Sequence, residues 1–299
     1  PRPPGPAGRP GYTPAVDAQR IAESLAFINW TVLTTLAVGT FGAVVAGRLR
    51  TEATRGYLAF TAFSAAAFAV LAALSDSGLP ALRWPTGAPV AAAVPALEAA
   101  RPFGLWALAI LAVGYAVAIW RGGRAPALAA AGLAAAAVTL VSAAATWGAG
   151  GPVAIGAALM LAQLVILSAA LGGVWAAMVL GHWYLVTPRL PEAPLVRFST
   201  WLTFVIGVQL ALFVGWTALG AGPAARPAFG ELTGEWALFV WLRLLVGLVF
   251  PLIVSWASIQ TAKTRSMESA TGLLYINVGT IAAGTILAAG LYFGAGLLV

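Results

Sequence analysis

The sequence predicts an all-α integral membrane protein, a bundle of about eight transmembrane helices with both termini on the outer side. Hydrophobic residues make up 61% of the 299 and charged residues only 8%, where a water-soluble domain carries about 25% charge. Mean hydropathy is +0.92. The apolar runs are continuous over about 20 residues, the length that crosses a bilayer, and they do not alternate as barrel strands do. Lipid leaves only helices and closed barrels able to pair every backbone group, so unalternating runs mean helices.

Residues 1–20 are rich in Pro and Gly and read as a disordered tail, and residues 21–299 as one polytopic domain. The first predicted helix spans 24–47 and runs into a basic loop with Arg48, Arg50 and Arg55. The second, 57–75, stops at the turn cluster Ser75-Asp76-Ser77-Gly78. Between 78 and 101, Pro80, Pro85, Pro89 and Pro95 argue against a spanning helix, leaving a surface loop with one short helix near 90–100. The third helix, 102–120, carries Pro102 in its first turn, where proline is tolerated, and ends at Arg121-Gly122-Gly123-Arg124. The fourth, 126–148, is nearly all Ala, Gly and Val, a composition for close packing on other helices. Gly150-Gly151-Pro152 forms the turn to the fifth, 153–186, which exceeds what a bilayer needs and is expected to tilt, kink near Gly172-Gly173 or project from the lipid. Helices at 198–220, 236–260 and 269–298 complete the bundle. Gly290 and Gly294 in the last give it a small-xxx-small face.

Loops after odd-numbered helices hold Arg48, Arg50, Arg55, Arg121, Arg124, Arg189, Arg197, Lys263 and Arg265, against Arg83, Arg101 and Arg226 on the other side. Nine against three places the first set in the cytoplasm of a bacterial inner membrane. Trp30, Trp84, Trp106, Trp120, Trp147, Trp183, Trp201, Trp236 and Trp256 lie near segment ends, as interfacial anchors do.

The chain has no cysteine and one histidine, which excludes disulfides, thiolate metal sites and cysteine nucleophiles, and leaves no bis-histidine haem built by this chain alone. A formal net charge of +7 could suggest nucleic acid, but the basic residues are scattered through short loops, where they contact lipid headgroups; the expected partners are the bilayer and other membrane or redox subunits. There is no Walker A loop, HExxH, Gly-x-Ser-x-Gly elbow or Rossmann fingerprint.

The richest stretch runs from Gly172 to Pro188. It holds the only histidine, His182, followed by Trp183 and Tyr184, and i, i+3, i+7 spacing stacks Trp175, Met178 and His182 on one face. An imidazole beside hydrocarbon is costly without a partner or water. It can be packing, it can hydrogen-bond a quinone carbonyl and pass a proton, or it can ligate a haem or chlorophyll metal. Asn277 lies at the same expected depth. Arg243 is the charge deepest in a segment, about two turns from Glu235, with Glu231 and Glu235 as candidate partners; its long stem could equally snorkel to the outer interface. Pro251 should kink the same helix and free a carbonyl. Gln163 and Gln209 fall at mid-depth and read as interhelical glue. The expected function is a non-catalytic or quinone-adjacent subunit of an electron-transfer complex, with His182, Trp183, Tyr184, Trp175, Asn277 and Arg243 as cofactor-binding candidates. The alternative is a transporter or channel for an anion or small uncharged solute, against which counts the lack of any deep Asp or Glu.

Overall fold

The computed structural model describes residues 18–82, 94–148, 153–187, 189–224 and 226–299. The readings placed on residues 1–17, on Arg83, Trp84, Pro85 and Pro89, on Gly150-Gly151-Pro152 and on Pro188 lie outside these. Among the described residues the regular structure is helical, and eight helices are long and apolar enough to cross a membrane. They are α1 (Ala18–Arg50), α2 (Arg55–Asp76), α3 (Pro95–Trp120), α4 (Pro126–Trp147), α5 (Val153–Val186), α6 (Ala193–Leu219), α7 (Ala237–Lys263) and α8 (Met267–Ala295).

α1 begins at Ala18, not 24, and so takes in the last three residues of the expected tail. Two other starts differ from expectation for one reason. α3 begins at Pro95 rather than 102, and α6 at Ala193 rather than 198, each with a proline in its first two positions. Proline is pre-set for a helix start because its missing amide would be unpaired there anyway. Pro102 therefore sits inside α3 and not at its first turn.

α5 is the axis of the bundle: 72% of its most apolar stretch is buried, against 33–50% for the other seven helices. It packs against α1, α4, α6 and α8. At 34 residues it is about 51 Å long, well beyond the roughly 30 Å of bilayer hydrocarbon. The Gly172-Gly173 pair does not break it; α5 is one continuous α-helix. Gly172 instead lets α1 approach: a Cβ there would lie 2.1 Å from the backbone of Gly39 and Thr40, and one on Gly39 would lie 1.7 Å from the Ser168 carbonyl. α4 uses its small residues as composition suggested, with Gly132 against the Phe41 ring of α1 and the α3 residue Gly104 against Thr139.

Interhelical bonds register the two ends. At one, Tyr57 Oη donates to the Ala176 carbonyl, Arg197 Nη1 to the Arg50 carbonyl, and Tyr184 Oη to the Pro191 carbonyl. At the other, Arg101 meets Asp76 and Tyr292 Oη donates to the Trp147 carbonyl. The first end carries the nine basic residues of the α1–α2, α3–α4, α5–α6 and α7–α8 connections and is called the basic end below. Gly290 and Gly294 face Ile28 and Ser24 of α1 within the chain.

Candidate functional sites

The six residues singled out from sequence do not form one cluster. His182 is exposed near the end of α5, with Nδ1 3.4 Å from the Tyr275 hydroxyl of α8. That distance is at the long limit of a hydrogen bond. Trp175, two turns earlier on the same face, sets its ring edge-on to Phe68 of α2 at 5.1 Å, and its indole Nε1 is buried without an acceptor among the described residues. Trp183 turns toward α2, where Gly56 leaves it room: a Cβ on Gly56 would sit 2.9 Å from the ring. Phe60 lies beside it at 6.5 Å. These rings border a strip of α5 between α2 and α8, flanked by the half-exposed Phe60 of α2 and Tyr275 and Ile276 of α8. Tyr184 points the other way, 1% exposed in the core, its hydroxyl on the Pro191 carbonyl. Asn277, two residues from Tyr275 and so on the opposite side of α8, donates to Ser255 Oγ of α7 at 2.7 Å. With the Ser258–Ser199 bond of 2.9 Å it forms a polar seam across α8, α7 and α6.

Arg243 is 1% exposed. Neither expected acid reaches it: Glu235 accepts from the Trp236 indole, and Glu231 is buried with no other side chain on either carboxylate oxygen among the described residues. The reason lies in the backbone. α7 opens into a π-helical turn over Leu245–Val249, immediately before Pro251. Proline has no amide to offer the carbonyl four residues earlier, which is that of Gly247. Arg243 Nη1 donates to this Gly247 carbonyl at 3.4 Å. Gly247 and Gly284 of α8 make the space, since a Cβ on either would come within 3.2 Å of Nη1. Its Nε has no partner among the described residues. Instead of a simple kink, a π-helical bulge precedes Pro251, and the Gly247 carbonyl within it lies at long hydrogen-bond distance from the guanidinium. The snorkelling alternative is excluded by the burial of Arg243. Burial raises the pKa of the Glu231 carboxyl, which lies outside the spanning segments, above the ordinary carboxylate value; its own backbone amide and Arg226 pull it back in part.

Sequence reading missed a second buried charge site. Asp76 and Arg101 read as loop residues, but they end α2 and enter α3 and form a two-pronged ion pair, Nε–Oδ2 2.5 Å and Nη2–Oδ1 3.2 Å. Their side chains are 5% and 9% exposed. The guanidinium carbon lies 4.6 Å from the Trp147 ring centre and 6.0 Å from that of Trp30. These two tryptophans are not interfacial anchors, being 4% and 0% exposed. They pack edge-on to each other at 4.6 Å, with Phe27 and Phe293 completing an aromatic box. Trp120 and Trp256, 72% and 58% exposed, do face outward. The available signal was one Asp and one Arg at facing ends of consecutive helices, each disguised by turn-forming neighbours.

A separate apolar hollow lies elsewhere in the bundle. A cleft of about 540 Å³ is walled by α4 and α6 and floored by α1 and α5. Its floor is Gly42, Ala43, Ala169 and Gly173, and its only hydroxyl is that of Ser168, which is spent on the Leu164 carbonyl. Leu133 and Val141 of α4 and Val165 of α5 at its margin are 43–49% exposed, so it opens sideways at the protein surface. Small floor residues between larger walls create this hollow by subtraction.

Among the described residues no three His, Cys, Asp or Glu side chains stand close enough to share a metal ion. No protein family, curated protein or solved structure matches the chain. What the molecule shows of itself is a multi-pass membrane protein whose described residues are helical, with eight helices long and apolar enough to span a bilayer.

Proposed function

We propose that the chain is a non-catalytic membrane subunit of a respiratory or photosynthetic electron-transfer complex, adjoining a quinone at the strip of α5 between α2 and α8. The basic end lies in the cytoplasm of a bacterial inner membrane and both termini lie outside, by the distribution of Arg and Lys. The observation that carries this reading is the His182–Tyr275 pair. It sets an imidazole and a phenol, the two side chains suited to hydrogen-bonding a quinone carbonyl and holding a proton, at one membrane edge. Trp175 and Trp183 flank it with apolar rings for a quinone head to lie against. Electrons come from a partner redox subunit, and this chain's residues bind and orient the head. Tyr184 and Asn277 serve the strip indirectly, by fixing the α5–α6 turn and the α7–α8 contact.

The test is quinone extraction and a visible spectrum on the protein isolated with whatever co-purifies, repeated for His182→Ala and Tyr275→Phe. Bound quinone or redox subunits in the parent, reduced in both variants, is the expected result. A cofactor-free, partner-free protein that carries solute into liposomes would overturn it. Arg243 favours a second reading, an anion carrier, because it is a buried cation with no acidic partner among the described residues. Arg243→Gln, with fold retained and transport lost, would decide for that reading.

A further inference from the structure

We propose that the cleft between α4 and α6 is a binding site for one anionic phospholipid, acyl chain on the glycine floor and phosphate at the basic end. It is separate from the His182 strip: Gly173 floors the cleft, while Trp175, about 200° further round α5, faces α2.

The apolar half of the site is built by omission. Gly42 and Gly173 have nothing within 4 Å of where a Cβ would stand. Both therefore hold open a space that any larger residue would fill without disturbing the helices. The lining runs along α5 from Leu161 to Gly173, about 18 Å at 1.5 Å per residue, and is almost wholly apolar, which suits an acyl chain better than a polar solute.

The polar half follows from the helical repeat. One turn beyond Ala46 on the cleft face of α1 stands Arg50, and one turn before Trp201 on the cleft face of α6 stands Arg197. The two are already neighbours, since Arg197 Nη1 donates to the Arg50 carbonyl. A guanidinium has five N–H groups, so most of the donors of Arg197 stay available, and among the described residues neither arginine meets a carboxylate. That end as a whole has nine basic residues against Glu52, Glu192 and Glu268, and Glu192 is occupied by Arg265 at 3.4 Å. Basic residues at the headgroup level beside an apolar interhelical groove recognise a phosphate with an acyl chain attached. An isoprenoid quinone would fill the groove but leave the arginines without an anion.

The experiment places the full chain in nanodiscs of mixed phosphatidylglycerol and phosphatidylcholine, delipidates in mild detergent, and identifies retained lipid by native mass spectrometry. The parent is expected to retain phosphatidylglycerol over phosphatidylcholine by roughly 25-fold, about fivefold for each of the two arginines. Arg50→Gln with Arg197→Gln should abolish the preference while an acyl-chain occupant remains. Gly42→Leu with Gly173→Leu should remove the occupant of either charge. Equal retention of the two lipids by the parent overturns the proposal, whatever becomes of the variants. So does an isoprenoid quinone as the retained species, or a preference unchanged in both double variants. Loss of His182-dependent quinone would not bear on it, since that strip lies on the other side of α5.

Discussion

Asp76→Ala is expected to be among the most destabilising single changes at the end opposite the basic one. The carboxylate takes two bonds from Arg101, with both side chains under a tenth exposed. Removing it leaves a guanidinium held between the α2 and α3 ends with only the Trp147 and Trp30 faces for company. Breaking a buried pair by deleting one partner costs about 3–5 kcal/mol. The aromatic faces return about 1–2 kcal/mol at most, and the cation already uses them in the parent. At roughly 2 °C per kcal/mol for a chain of this size, thermal unfolding in detergent, followed by circular dichroism, should fall by about 6–10 °C. Arg101→Met should cost somewhat less, because its stem is replaced by an apolar one that still packs on Trp147. The double variant Asp76→Ala/Arg101→Met should recover much of the loss, since two apolar side chains leave no stranded charge. The cycle should therefore show coupling above about 1 kcal/mol. Single variants within about 1 kcal/mol of the parent and strictly additive would refute the reasoning, and would mean that water reaches the pair.

Neighbouring glycines on α5 should respond with opposite signs. Gly172→Ala puts a methyl 2.1 Å from α1 backbone and should destabilise by on the order of 1–3 kcal/mol or more, whereas Gly173→Ala meets nothing and should be neutral or gain up to about 1 kcal/mol of helix propensity; equal effects in thermal unfolding would sink the packing account. Gly284→Ala should destabilise likewise, because its Cβ would stand 2.6 Å from the Gly247 Cα and 3.0 Å from Arg243, and the loss should appear as altered proteolysis or hydrogen exchange over the π-helical turn. Glu231 makes stability fall with rising pH. Its folded-state pKa is raised by burial, so its contribution is fully present below the ordinary carboxylate value and is lost as pH rises through the raised one. Glu231→Gln should flatten that part of the stability–pH curve, and an unchanged slope would show that the carboxyl is hydrated in the folded state.

The eight spans were legible because hydropathy over about 20 residues is a local quantity. A run such as Pro126–Trp147 needs no partner to declare itself. The prolines at 95 and 194 shifted two starts only because the same residue opens or breaks a helix according to position. The candidate site was legible residue by residue but not as a constellation. His182 stood out by being alone, and Arg243 by its depth, yet nothing local says that Tyr184 turns inward, that Asn277 turns to Ser255, or that Glu231 stops short of Arg243.

By itself, then, the chain's order of residues determined the environment, the number of crossings and which residues are chemically unusual, because lipid imposes those on each segment separately. Tertiary structure alone decided which unusual residues meet. Asp76 finds Arg101 between two tryptophans, Arg243 comes within long hydrogen-bond distance of the Gly247 carbonyl, and Gly42 and Gly173 come together on the floor of one hollow. Such pairings depend on the rotation and register of helices far apart in sequence, which side-chain packing sets and no single segment encodes.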